Sequence, residues 1–113
     1  MPTKIIETLR RRTIKTFMDM LILAELQQKS LSGYDIISLI HKRFNVLVSS
    51  GTVYSLLYSL ERKGLIAADV DQRKRVYALT EKGGQTLETV EKANEEINSL
   101  VQNLISRRQS EYS

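Results

Sequence analysis

Ser50-Gly51-Thr52-Val53-Tyr54-Ser55-Leu56-Leu57-Tyr58-Ser59-Leu60-Glu61-Arg62-Lys63-Gly64 separates into two faces when wound at about 100° per residue. Val53, Leu56, Leu57 and Leu60 gather on one side. Gly51, Ser55, Tyr58 and Arg62 centre on the other, flanked by Thr52, Tyr54 and Ser59. The spacing predicts a helix capped by Ser49 or Ser50 and reaching about Lys63, with Gly64 ending it in a left-handed conformation. The outer face carries hydroxyls and tyrosines and no carboxylate before Glu61, where an ordinary solvated helix presents Glu and Lys pairs. Small hydroxyl side chains permit close approach to a surface, donate to phosphate oxygens or base edges, and do not repel a polyanion. The plainer alternative is that Tyr54 and Tyr58 pack on neighbouring helices or on a second subunit.

Toward the C-terminus the period changes. Leu65 to Val70 and Arg75 to Leu79 read as two short strands joined by a polar tip, Asp71-Gln72-Arg73-Lys74. Arg73, Lys74 and Arg75 thereby stand on a ribbon next to the helix just described. A helix that enters the major groove, with a cationic ribbon along the backbone or in the adjacent minor groove, is a winged helix-turn-helix layout. The alternative is a tip charged only for solubility and against edge pairing. Toward the N-terminus, Ser32 and Asp35 form a capping box for a helix from about Gly33 to Phe44. Ile36, Ile37, Ile40 and Phe44 would be its buried side, leaving Ser38, His41, Lys42 and Arg43 toward water. Ile5 to Leu26 is also helical in spacing. Arg10-Arg11-Arg12 either divides that stretch into two helices or forms a solvated stripe on one.

After the strands, Thr80 can cap a last helix. Gly83 and Gly84 each cost roughly 1 kcal/mol in a helix interior, so its first turn is weak unless it packs on something. Leu87, Val90, Asn94, Ile97, Val101 and Leu104 follow with heptad spacing, widened by Ala93, Leu100 and Ile105. A helix of about 25 residues, roughly 37 Å long, is too long for the rest of the chain to cover, so these six positions predict a seam with a second chain. Asn94 either sets the register of that seam or faces water or the domain. The expected division is a winged-helix domain with an N-terminal helix over 1–80 and a dimerisation helix over 81–113, its tail from Arg107 to Ser113 frayed.

Composition narrows the function. The chain has 113 residues, 42% hydrophobic and 27% charged, which suits one globular domain; the pattern of elements makes it a mainly helical α+β winged helix-turn-helix. Its net charge is +4, and the excess is local: 13 basic and 7 acidic residues over 1–80, but 4 and 6 over 81–113. Phosphates would attract only the first part. There is no cysteine and a single histidine, His41, expected on the surface. No nucleophile and base, metal constellation or phosphate-cradling glycine loop can be assembled, so neither an enzyme nor a cofactor is expected. The longest apolar run, Met20 to Ala24, is far short of the roughly 20 residues that cross a bilayer. A cytoplasmic chain with no membrane partner is expected.

Three segments together carry a family resemblance. Gly33-Tyr34-Asp35-Ile36-Ile37 is followed by Ser50-Gly51-Thr52-Val53-Tyr54, with Leu56-Leu57 and Leu60-Glu61-Arg62-Lys63-Gly64-Leu65-Ile66. Arg75-Val76-Tyr77-Ala78-Leu79-Thr80-Glu81-Lys82-Gly83 completes the set. In order and spacing these segments resemble the PadR family of transcriptional regulators, in its smaller branch with one C-terminal helix. The resemblance implies a dimeric winged-helix protein that binds double-stranded DNA, usually as a repressor. It implies DNA contact from Tyr34, Thr52, Tyr54 and the wing cations Arg73 and Lys74. Ser55, Tyr58, Ser59 and Arg62 join them from helical geometry alone. Ser50 and Ser55 depart from the family, whose members similar to this chain commonly have proline at both places. A two-fold dimer would set its recognition helices about 34 to 36 Å apart on a pseudo-palindromic site. Family members can sense small aromatic compounds between subunits, but no Trp and only two Phe leave a stacking effector pocket unsupported. The rival function is a winged helix used as a protein–protein adaptor.

Overall fold

The computed structural model describes residues 2–71 and 73–106. Its first helix, α1 (Pro2–Gln28), is continuous. Arginine ranks among the better helix formers, so Arg10 to Arg12 do not break it. Met18, Ile22, Leu23 and Leu26 of its second half are buried, whereas Ile5, Ile6 and Leu9 of its first half are 63%, 53% and 41% exposed. The next element is a two-residue strand, β1 (Leu31–Ser32), and then α2 (Gly33–Phe44). The capping box forms as its sequence predicts. The Asp35 N–H donates to the Ser32 hydroxyl at 3.1 Å, and the Ser32 N–H donates to an Asp35 carboxylate oxygen at 2.9 Å. Ile36 and Ile40 are fully buried, while Ile37 and Phe44 are half-buried.

Helix α3 (Ser50–Arg62) takes Ser49 as its cap, which makes Ser50 its first helical residue. That is the position where proline is well tolerated because its N–H has no helical partner, and serine fills it without altering the helix start. Past the capping residue Lys63, Gly64 adopts φ +78°, so the chain reverses and the Leu65 N–H reaches the Leu60 carbonyl at 3.0 Å.

Strands β2 (Ile66–Asp71) and β3 (Lys74–Leu79) are antiparallel, and Asp71 pairs with Lys74. Val70 still stands opposite Arg75, so the strands simply run one pair further than the sequence suggests. The tip is thereby two residues, not four. β1 adds to the other edge of β3, with Leu31 opposite Tyr77 and Ser32 opposite Val76, to give the sheet order β1-β3-β2. This third strand binds the start of α2 to the base of the wing.

Thr80 caps α4 (Glu81–Lys92), accepting from the Gly83 N–H at 3.0 Å and donating to the Gly64 carbonyl at 2.6 Å. Of the two glycines of its first turn, packing accounts for Gly83 and not for Gly84, where a Cβ would only touch Leu79 at 3.8 Å. Gly83 is buried, and a Cβ there would collide with the Leu65 carbonyl oxygen. Ala93, at φ −94° and ψ 11°, separates α4 from α5 (Asn94–Ile105). The long C-terminal helix therefore comes in two segments. Residues 107–113, expected to fray, lie outside the described residues.

Candidate nucleic-acid interface

The α3 face predicted to meet a ligand is presented as the periodicity requires. Val53, Leu57 and Leu60 are buried, and Gly51, Thr52, Ser55, Tyr58 and Arg62 are exposed. Ser59 and Tyr54 are half-buried. The Thr52 oxygen already accepts from the Ser49 hydroxyl at 2.8 Å, which leaves the threonine hydroxyl free to donate outward.

Two glycines shape this surface in opposite ways. A Cβ on Gly33 would run into the ring of Tyr54; glycine is therefore what allows the starts of α2 and α3 to touch. Tyr54 in turn tilts against Tyr58, ring centres 6.4 Å apart at 44°. Tyr54 thus has a packing role as well as an exposed edge, whereas Tyr34, beside Gly33, is 72% exposed. At Gly51 a Cβ would meet nothing within 4 Å. Glycine weakens a helix by about 0.5–1 kcal/mol relative to alanine, and the chain's own packing gives no steric reason for it there.

The wing is fastened to the helices by two carboxylates. Arg75 donates to both oxygens of Glu61 at 3.2 Å and, through Nε, to the Tyr77 hydroxyl at 3.2 Å. Its guanidinium lies 5.7 Å from the centre of the buried Tyr77 ring. The hydrogen bond to Tyr77, with that to Glu61, raises the Arg75 pKa above its ordinary value. Glu61, the carboxylate that ends the acid-free stretch of α3, is therefore neutralised within the chain. At the other corner Lys74 Nζ lies 3.6 Å from Asp35. The Ser32 N–H holds the Asp35 carboxyl below its usual range; partial burial opposes this, and the Ser32 hydroxyl and Lys74 assist. Of the wing cations, Arg75 is thus occupied in holding the wing, and Lys74 is paired yet exposed. Arg73 stands exposed at the tip with φ +70°. Arg62 has no ion-pair partner among the described residues.

Asp35 is legible in the sequence as a capping residue and Glu61 as the end of the acid-free stretch, but neither pairing with a wing cation is. The signals lie 14 residues apart for Glu61 and Arg75 and farther for Asp35 and Lys74, and only the hairpin register and β1 bring them together.

The predicted seam divides. Leu87 is 4% exposed within its own chain's core, which corrects its assignment to an interface: a heptad pattern reports burial without saying what does the burying. Val90 and Ile97 are half-buried, and with the exposed Asn94 and Val101 they line a groove of about 760 Å³, opposite Phe17 and Met20 of α1. Leu104 is 74% exposed and lies outside that groove. Leu100 and Ile105 are also exposed. Asn94 accepts from the Asn98 amide at 3.3 Å.

The family model described as "Transcriptional regulator PadR-like family" matches residues 22–89. Among solved structures, a transcriptional regulator from Clostridium thermocellum superposes with a TM-score of 0.74 at 21% identity, covering 84% of this chain and 96% of that one. A PadR family regulator from Eggerthella lenta gives 0.73 at 24%, covering 92% and 91%. Bacillus subtilis PadR in complex with operator DNA gives 0.59 at 28%, covering 64% of this chain and 45% of that one. No curated protein matches. No helix among the described residues is long and apolar enough to cross a membrane.

Proposed function

Because the chain belongs to the PadR-like family of transcriptional regulators, we propose that it acts in the cytoplasm as a homodimer that binds a pseudo-palindromic operator and represses transcription by occupying it. In this reading α3 enters the major groove. Thr52, Ser55, Tyr58 and Ser59 face bases or phosphates, Tyr34 and the exposed edge of Tyr54 meet the backbone, and Arg62, Arg73 and Lys74 neutralise phosphates. Residues 1–80 supply this reading unit. The segment from 81 onward supplies the second copy, through Val90, Asn94, Ile97, Val101 and Leu104. No cofactor takes part.

The observation that carries the reading is the outer face of α3. It is exposed, lined by hydroxyls, and without an unneutralised carboxylate, since Arg75 covers Glu61. Gly51 adds to it, because open space over a helical glycine lets a duplex approach the backbone itself. Bacillus subtilis PadR, whose fold this chain shares over 64% of its length, was solved in complex with operator DNA, which supports DNA as the ligand.

Selection of duplexes from a random pool tests the whole proposal. One pseudo-palindrome should be enriched, with half-sites about one helical turn apart, and its affinity should fall steeply with salt. A pool that emerges unenriched, with binding indifferent to salt, would leave the adaptor function as the better account.

A further inference from the structure

The first half of α1 carries five exposed cations, Lys4, Arg10, Arg11, Arg12 and Lys15. Wound at about 100° per residue, they do not form one stripe. Arg10 stands toward the end of α2, in a cleft with Phe44 and Asn45. Lys4, Arg11 and Lys15 share the side that Met18 and Ile22 occupy farther along, and Lys4, Arg11 and Met18 follow one another at intervals of seven residues. Met18 and Ile22 are fully buried. The three cations therefore lie on the core-facing side of α1, at places where the core has already ended. Ile5, Ile6 and Leu9 occupy the opposite side of the helix.

The fold itself has no use for positive charge at these places. Lys4 sits in the first turn of α1, which holds no acid, and there a cation opposes the helix macrodipole. Arg11 and Lys15 are like charges four residues apart, a spacing that disfavours a helix. Glu7 and Asp19 each stand one turn from Arg11 and Lys15 respectively, yet none of the three cations has an ion-pair partner among the described residues.

Their direction supplies a reason. Val53, Leu57 and Leu60 of α3 belong to the same buried cluster as Met18 and Ile22, so α3 turns its outer face away from α1. A duplex on that outer face lies beyond α3 as seen from α1, and the core-facing side of α1 looks toward it. Farther along α1 the body of the domain stands between. From Thr3 to Thr13 every residue is exposed, so there the body has fallen away. With α3 in a groove about 8.5 Å deep, the flanking phosphates stand level with that helix rather than below it. They come within about one helix–helix spacing of α1, roughly 8–10 Å, which long cationic side chains can span. We propose that Lys4, Arg11 and Lys15 form a second phosphate-binding surface, an overhang that grips the operator backbone beside the groove α3 occupies. Phosphate contacts carry no sequence information, so the overhang adds affinity and holds the duplex in register with α3. It presupposes the operator binding proposed above and extends the contact surface beyond the helix-turn-helix and the wing.

Anisotropy titrations of the full chain over a range of salt test the overhang, with a duplex enriched from the random pool and an unrelated duplex of the same length. Lys4→Gln with Arg11→Gln and Lys15→Gln should lower the slope of log affinity against log salt by about three per chain, one for each phosphate. Affinity for the enriched duplex near physiological salt should fall about tenfold or more, while selection with this triple variant should still return the same pseudo-palindrome. Lys4→Arg with Arg11→Lys and Lys15→Arg keeps the charges and should keep the slope. Arg10→Gln, on another side of the helix, should leave it unchanged. Sedimentation and circular dichroism should report the same oligomeric state and helix content throughout. An unchanged slope in the triple variant overturns the overhang while operator binding stands. A triple variant that no longer associates overturns it in favour of a surface on the second copy. A slope that drops as much per charge in Arg10→Gln overturns it in favour of a general effect of net charge. A parent chain that binds neither duplex removes both readings.

Discussion

The wing and α3 are finished within one chain, whereas α5 and the first half of α1 are not. In the first region the carboxylates near the outer face are matched, Glu61 by Arg75 and Asp35 by Lys74, and the apolar residues of α3 lie inside. In the second, Leu100, Leu104 and Ile105 on α5 and Ile5, Ile6 and Leu9 on α1 face water. The difference teaches how the two tasks are divided. A surface that must fit a duplex has to be rigid before it meets one, so its packing and pairing are local. In the proposed homodimer, the spacing between two such surfaces is left to whatever covers the open apolar helices.

The strongest way to break this contrast is to remove α5 alone. Truncation after Lys92 keeps Leu87 and with it the whole buried core, so the remaining chain should fold as a monomer. Its operator affinity should drop by about 10²–10⁴, the advantage that linking two sites ordinarily confers. Anisotropy titrations and sedimentation would check both statements. Cutting after Gln85 should behave differently, because losing Leu87 opens the core. A chain truncated after Lys92 that still dimerises would show that α1 suffices.

A smaller effect separates the cations that hold the wing from those proposed to hold phosphate. Arg73→Ala with Lys74→Ala should lower the slope of log affinity against log salt by about two, one phosphate for each cation. Tightness at physiological salt should fall about tenfold or more. Glu61→Gln should act in the other direction on the slope, since it frees Arg75 to meet a phosphate. Equal slopes in the double variant and the parent would take the tip off the DNA.

Much of the reading half was legible in the sequence because its signals are local. Ser32 with Asp35, and Gly64 after Lys63, set helix ends within four residues of themselves. The two strands with a polar turn between them were also legible, although they run one pair further than the polarity of the turn suggests. What could not be read is what depends on pairing at a distance. β1 is two residues long, has no period of its own, and exists only because Tyr77 and Val76 lie opposite. The break at Ala93 has no glycine or proline to announce it. Leu87 satisfied the heptad and belonged to the core instead, and the projection of Ile5, Ile6 and Leu9 beyond the domain is a matter of where the body ends.

Gly51 offers a finer comparison, because folding and binding should respond with opposite signs. Gly51→Ala places a methyl in open space and should raise stability by about 0.5–1 kcal/mol, read as a higher urea midpoint. Operator affinity should fall several-fold if the helix backbone lies against the duplex. A variant that gains stability and keeps its affinity would place α3 farther from the DNA than proposed.

The smallest expected effect tests whether the wing's anchorage at α2 is electrostatic. The Ser32 N–H favours the Asp35 carboxylate, and its pKa in the folded chain is lower than in the unfolded one. The unfolded state therefore takes up the proton first as pH falls. The stabilisation is complete above the unfolded value, near pH 4, and is lost as pH drops through the lower folded value. Urea midpoints of the chain truncated after Lys92, free of any dimer contribution, should show Asp35→Asn less stable than its parent at pH 7, with the gap closing below about pH 4. A gap of the same size at pH 3 and pH 7 would mean that Asp35 acts by shape and hydrogen bonding alone. The contact with Lys74 at 3.6 Å would then contribute nothing to holding the wing against the helices.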